Sequence, residues 1–136
     1  MNKILLISII GVMLFFNHCK IEDGAENPVP VITQLSPSQK ARNMPSFTLT
    51  VSGSGFIEQS KIFFNNREQV TALTAPNRLS TVILYQDLIN SSMQLESGSR
   101  SASVDIVIPV KIVNPEPGGG DSNSIDFILS ENHTFT

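Results

Sequence analysis

Val110-Lys111-Ile112-Val113-Asn114-Pro115-Glu116-Pro117-Gly118-Gly119-Gly120-Asp121-Ser122-Asn123-Ser124-Ile125-Asp126-Phe127 decides the fold. Val110 and Ile112 alternate with other residues on one side of it, and Ile125 and Phe127 do the same on the other. Period two is the mark of a half-buried strand. Between the two runs lie Pro115, Pro117 and Gly118 to Gly120. Proline cannot donate to a strand ladder, and glycine reaches backbone angles closed to other residues. The stretch therefore reads as strand, hairpin loop, strand.

Working outward, further strands alternate in the same way. Val104, Ile106, Ile108, Val110 and Ile112 form one long alternating run with Pro109 inside it. A proline there predicts a sheet edge or a bulge. Phe47, Leu49 and Val51 alternate with Thr48, Thr50 and Ser52, so the odd positions are expected to face the core. Gly53 and Gly55 break that strand, and Phe56 is expected to return to the core. Ile62 and Phe64 are expected inside, Lys61 and Phe63 outside. Asn65-Asn66 reads as a turn, because asparagine tolerates the left-handed conformation. Val31 to Leu35 reads as the first strand, ended by Ser36-Pro37-Ser38. Gln39 to Pro45 reads as a polar connection, Gln69 to Thr71 as a short return strand, and Leu79 to Leu84 as another strand. Tyr85 to Met93 has the spacing of a helical turn, and Gln94 to Ala102 reads as a polar loop. No internal repeat is visible.

Four stretches, in order, resemble the IPT/TIG family of immunoglobulin-like domains. Pro30-Val31-Ile32-Thr33-Gln34-Leu35-Ser36-Pro37 resembles the family's opening strand. Phe47 to Phe56 resembles its second strand running into a G-x-G-F corner. Ile62-Phe63-Phe64-Asn65-Asn66 resembles the third motif, and Asn114 to Asn123 with the strand after it resembles the closing hairpin. The resemblance implies an all-β fold, an immunoglobulin-like β-sandwich of IPT/TIG type, over residues 31–130. It also implies a module for recognition, adhesion or spacing.

The chain has 136 residues, enough for one domain with a modest core. Its 40% hydrophobic content with only 15% charged residues is that of a folding chain. The formal net charge of −3 argues against a nucleic-acid partner, which calls for a basic face.

The first residues read as a targeting segment. Lys3 precedes an apolar run from Ile4 to Phe16, the length of a signal-peptide core and too short for a free transmembrane span. Cys19, the sole cysteine, follows at once. This arrangement resembles the lipid-attachment site of a bacterial lipoprotein, although Phe16-Asn17-His18 stand where such sites usually carry small residues. The other reading is an uncleaved membrane anchor with an incidental cysteine. The expected organisation is a signal peptide over 1–18, lipid attachment and tether over 19–30, the domain over 31–130 and a tail over 131–136. Cleavage before Cys19 removes one of 9 basic residues against 12 acids, giving a net charge of −4. The expected location is the cell envelope, lipid-anchored at the outer membrane or cell surface.

Residues for chemistry are sparse. The histidines are His18 and His133 alone, and with one cysteine they cannot build a zinc site of the usual ligand types. Asp105 and Asp126 fall in the outward register of their strands. Asp121, Ser122 and Asn123 offer oxygen ligands but lack the spacing of a calcium loop, so the hairpin reading is preferred. No catalytic residue, metal or cofactor is expected. If the module binds a partner, an unidentified protein or glycan, contacts are expected from loops at the sandwich ends. Tyr85 to Ala102 is the candidate segment. Tyr85, Asp87, Glu96 and Arg100 are its binding residues, with Leu88, Ile89, Met93 and Leu95 able to bury apolar area. The competing reading is that these apolar residues cap the core. A structural subunit of an envelope assembly is the alternative function, and a hydrolase lacks a visible nucleophile and base.

Overall fold

A computed structural model describes residues 24–42, 44–95 and 105–130. The leader, Cys19, Glu96, Arg100, His133 and the 131–136 tail lie outside the described residues.

Among the described residues, ten strands and one helix follow in chain order: β1 (Val31–Ser36), β2 (Gln39–Ala41), β3 (Phe47–Ser54), β4 (Lys61–Phe64), β5 (Arg67–Glu68), β6 (Ala72–Ala75), β7 (Arg78–Ile83), α1 (Tyr85–Leu95), β8 (Ile106–Asn114), β9 (Gly120–Asp121) and β10 (Ile125–Ser130). They form two sheets. One has the order β1-β3-β7-β6; the other has β2-β10-β8-β4-β5, with β9 paired to β8. Lettered in the immunoglobulin manner, these sheets are ABED and A′GFCC′. All pairings are antiparallel except β2 with β10, which is parallel. The expected all-β immunoglobulin-like sandwich is the observed fold.

The alternating apolar residues meet between the sheets. Leu49, Val51, Leu79 and Ile83 from one sheet face Ile62, Phe64, Ile108, Val110, Ile112, Phe127 and Leu129 from the other, all buried. Phe127 sits at the centre of an aromatic group. It stacks on Phe47 with centroids 5.4 Å apart and meets Phe64 edge-on at 5.5 Å. Offset and edge-on pairs of this kind add to simple area burial. In β1, Ile32 and Leu35 both face inward although they are an odd number of residues apart. A register shift between Ile32 and Gln34 supplies the extra residue. At Gly53, strands β1 and β3 approach so closely that a Cβ would lie 1.9 Å from the Val31 carbonyl oxygen. Gly55 then turns with φ of 71°, and Phe56 returns to the core as expected.

Five local expectations are corrected. Pro109 lies at neither an edge nor a bulge. Strand β8 is flanked by β4 and β10, with unbroken register to both. Pro109 falls opposite Asn65, just past the end of β4, and its carbonyl accepts the Asn65 N–H at 3.0 Å. The ring thus removes only the reciprocal donor, at the turn end of the ladder. Gln39 to Ala41, read as connection, is β2, because its backbone finds the free side of β10. The return from the Asn65-Asn66 turn is Arg67–Glu68 rather than Gln69 to Thr71. Both asparagines have positive φ, as a two-residue hairpin turn requires. Gln69 and Thr71 still run beside β4, but partly through a side chain. Gln69 N donates to Ile62 O at 2.8 Å, and Thr71 Oγ1 accepts Ile62 N at 2.9 Å. The helical turn is a full helix of 11 residues that takes in Gln94 and Leu95. Asn27 to Pro30, read as tether, lie against the domain.

Candidate functional site

The sandwich has two ends of different character. At one end α1 carries the chain from β7 to β8, and β10 finishes beside it. At the other lie the 115–124 hairpin loop, the 55–60 corner, the turn between β6 and β7, and residues 27–30.

The helix end holds the segment expected to bind. Leu84 caps the helix: its carbonyl accepts the N–H groups of Asp87 at 2.9 Å and Leu88 at 3.3 Å. Asp87 Oδ2 reaches back to the Leu84 N–H at 3.3 Å. This is the reciprocal half of a capping box, which satisfies a donor that the helix itself leaves open. The Tyr85 N–H donates to Ser46 Oγ at 3.3 Å, tying the first turn to the approach to β3. Leu88 is buried in the core and Ile89 is half-buried. Ser91 is also buried; its hydroxyl donates to the Asp87 carbonyl at 2.7 Å. Leu88 therefore caps the core, as the competing reading holds. Tyr85 is 43% exposed, and Val82 and Leu84, beside it in sequence, are exposed as well. Of the four expected binding residues, Tyr85 and Asp87 are described: the first is presented to solvent and the second is engaged in capping. Glu96 and Arg100 fall outside the described residues, between the end of α1 and the start of β8.

At the hairpin end, polar side chains stand in for backbone. Asn114 is 98% buried at the end of β8. Its amide nitrogen donates to the carbonyls of Pro28 and Gly55, both at 2.8 Å, and its oxygen accepts the Ser60 hydroxyl at 2.5 Å. Ser60 Oγ in turn accepts the Ile57 N–H at 2.8 Å. Two separate segments, residues 27–30 and the 55–60 corner, are thus bound to one carboxamide at the end of β8. Ser122 pairs with Ile112 through both its N–H (2.8 Å) and its hydroxyl, which accepts the Ile112 N–H at 2.8 Å. Asn123 spans to the other sheet, accepting the Ile32 N–H at 2.8 Å and donating to the Ile32 carbonyl at 3.0 Å. Asp121 forms an ion pair with Lys111 at 2.6 Å. Each of Asp121, Ser122 and Asn123 therefore has an intramolecular partner, and their arrangement holds the loop. Among the described residues no group of three or more His, Cys, Asp or Glu side chains could hold a metal ion.

Sequence reasoning missed the structural role of Asn114. The signal was present: positions 106, 108, 110 and 112 face the core, and 114 continues that register. A polar residue at the end of an inward series calls for internal partners. Phe63 does lie on the outer face, half-buried, with Lys111 Nζ 5.8 Å from its ring centroid. Its cover is thus a neighbouring strand's side chain. Asp105 and Asp126 are exposed, as their register implies.

No protein-family profile matches the sequence, and no curated protein matches it. The chain is similar in structure to the TIG domain from human nuclear factor of activated T-cells, cytoplasmic 4, solved in solution. Identity is 15%, the TM-score is 0.49, and the match covers 79% of this chain and 92% of that one. Among the described residues no helix is long and apolar enough to cross a membrane.

Proposed function

We propose that this chain is an exported, lipid-anchored cell-envelope protein whose immunoglobulin-like domain serves non-catalytically in recognition, adhesion or spacing. The observation that supports it is the sandwich itself, rigid between its sheets and displaying Tyr85 and its apolar neighbours at one end. Scaffolds of this kind hold their strands fixed while surface segments at the ends make contacts. The anchoring part rests on the sequence: a basic start, a short apolar core and Cys19 directly after it.

Two acyl chains or more hold a protein to a bilayer, since each buried methylene contributes about 0.8 kcal/mol. Wild type is expected in the detergent phase on phase partition and to incorporate a labelled fatty acid. Cys19→Ser is expected to lose the label. Wild type that takes up no fatty acid rejects lipidation. The partner is sought with the detergent-solubilised protein against matrix proteins, glycans and the producing cell's own envelope extract. Capture of a glycan or matrix protein supports recognition, whereas binding confined to envelope proteins supports a structural subunit.

A further inference from the structure

The chain enters the sandwich at the hairpin end and is pinned there. Asn27 N donates to the Pro117 carbonyl at 2.7 Å, and the Asn27 carbonyl accepts Gly119 N at 2.7 Å. Asn27 Nδ2 donates to the Pro115 carbonyl at 2.9 Å, and Asn114 holds the Pro28 carbonyl. Pro30 is buried. Such a pattern fixes not only where the leading segment attaches but which end of the domain it attaches to.

Seven residues, Lys20 to Glu26, separate Asn27 from Cys19. Seven residues reach at most about 25 Å whatever their conformation. The domain is longer than that reach. Strand β8 alone has nine residues, which at about 3.3 Å per residue is about 30 Å. We propose that, on a bilayer, the domain stands with its hairpin end toward the lipid headgroups and its helix end about 30 Å farther out. This rests on the reading of Cys19 as the anchor. The hairpin end carries exposed Glu26, Glu58 and Glu116, with Asp121 already neutralised by Lys111 and with Arg78 and Lys61 as nearby cations. These groups leave that end with a net charge of about −1 and no basic patch to draw it into anionic headgroups. The side bearing Tyr85, Leu84 and Val82 is then the one presented away from the membrane.

The chain contains no tryptophan, so a single introduced indole is a clean reporter. The full-length protein is reconstituted into phosphatidylcholine vesicles doped with a dansyl-headgroup lipid, carrying Trp at one exposed site per variant. Glu116→Trp and Glu58→Trp report the hairpin end; Gln86→Trp and Asn90→Trp report the helix end. Two sites per end guard against one that disturbs folding. Energy transfer is expected to be severalfold stronger from both hairpin-end sites. Equal transfer from the two ends, or stronger transfer from the helix end, overturns the orientation. Flotation with the vesicles reads the anchor separately. If the protein does not float, its free Cys19 thiol is coupled to a maleimide-headgroup lipid, and the same comparison from the same residue decides the orientation.

Discussion

The Asn123 carboxamide pairs with the backbone of Ile32 as a neighbouring strand would, accepting its N–H at 2.8 Å and donating to its carbonyl at 3.0 Å. The two residues lie 91 positions apart, Ile32 on β1 of one sheet and Asn123 in the loop between β9 and β10 of the other. Strand β1 is an edge strand, and edges with open backbone groups invite pairing with other chains. One side chain here covers that edge at Ile32 and ties β1 to the loop leading into the other sheet. Asn123→Ala is expected to destabilise the domain by about 1–3 kcal/mol, because two backbone groups lose their partner. Asn123→Asp keeps the acceptor but sets a carboxylate against the Ile32 carbonyl, so it too is expected to destabilise. Urea melts followed by circular dichroism measure both, and an unchanged midpoint for Asn123→Ala would remove this role.

Asn114 concentrates more in one group. Asn114→Ala strips partners from the carbonyls of Pro28 and Gly55 and from the Ser60 hydroxyl, and is expected to cost at least about 2 kcal/mol. Ser60→Ala is expected to cost less, because it releases only Ile57 N–H and one lone pair of Asn114. The pair should couple in a double-mutant cycle by about 0.5–3 kcal/mol, and strict additivity would show that they act independently.

Thr81 supplies a prediction of opposite sign. It is buried on β7 among Leu49, Leu79 and Ile83, and its hydroxyl has no hydrogen-bond partner among the described residues. Valine has the same shape without the polar atom. Thr81→Val is expected to stabilise by about 1 kcal/mol or more, read as a higher melting temperature. A lower one would mean that the hydroxyl is satisfied in solution.

Asp87 separates capping from binding. Asp87→Ala is expected to lower stability by about 1 kcal/mol through loss of the bond to the Leu84 N–H. Asp87→Asn, which retains an acceptor, should recover most of it. If a partner is found, both variants should bind it with wild-type affinity when assayed folded, whereas a contact role would weaken both.

The two faces of β4 are tested by adjacent residues. Phe64 is 1% exposed and meets Phe127 edge-on, so Phe64→Ala is expected to cost about 3–5 kcal/mol. Phe63 lies on the outer face against Lys111, and Phe63→Ala is expected to cost about 1 kcal/mol. Equal losses would mean that the strand is in the other register.

The strands that were legible from the chain are those whose side chains face a core. Leu49 and Val51, Ile62 and Phe64, Ile106 to Ile112, and Phe127 all repeat at period two because one face of each sheet is covered. Asn65-Asn66 was legible because few residues tolerate positive φ. Strand β2 was not, since Gln39, Lys40 and Ala41 earn their conformation from β10 rather than from their own pattern. Thr71 misled for a related reason, as its hydroxyl takes the place of a backbone acceptor. Pro109 misled because its cost depends on where the neighbouring strand ends, which is a tertiary fact. At the binding segment, the spacing of Leu88 revealed a helix face but not its partner, and Asp87 looked like a free charge until its backbone donor was in view.

The parallel pairing of β2 with β10 has a mechanical consequence. The leading chain arrives at the hairpin end, while Ser130 closes β10 at the helix end. A pull between a tethered start and a cargo or neighbour at the far end therefore runs along the strands. Ladder hydrogen bonds lie across that line, so the β2–β10 pair and the β1–β3 pair are loaded in shear, all bonds at once. Peeling, which breaks bonds one by one, would require both pulling points at the same end. Pulled from those two ends, the domain resists in shear along its strands.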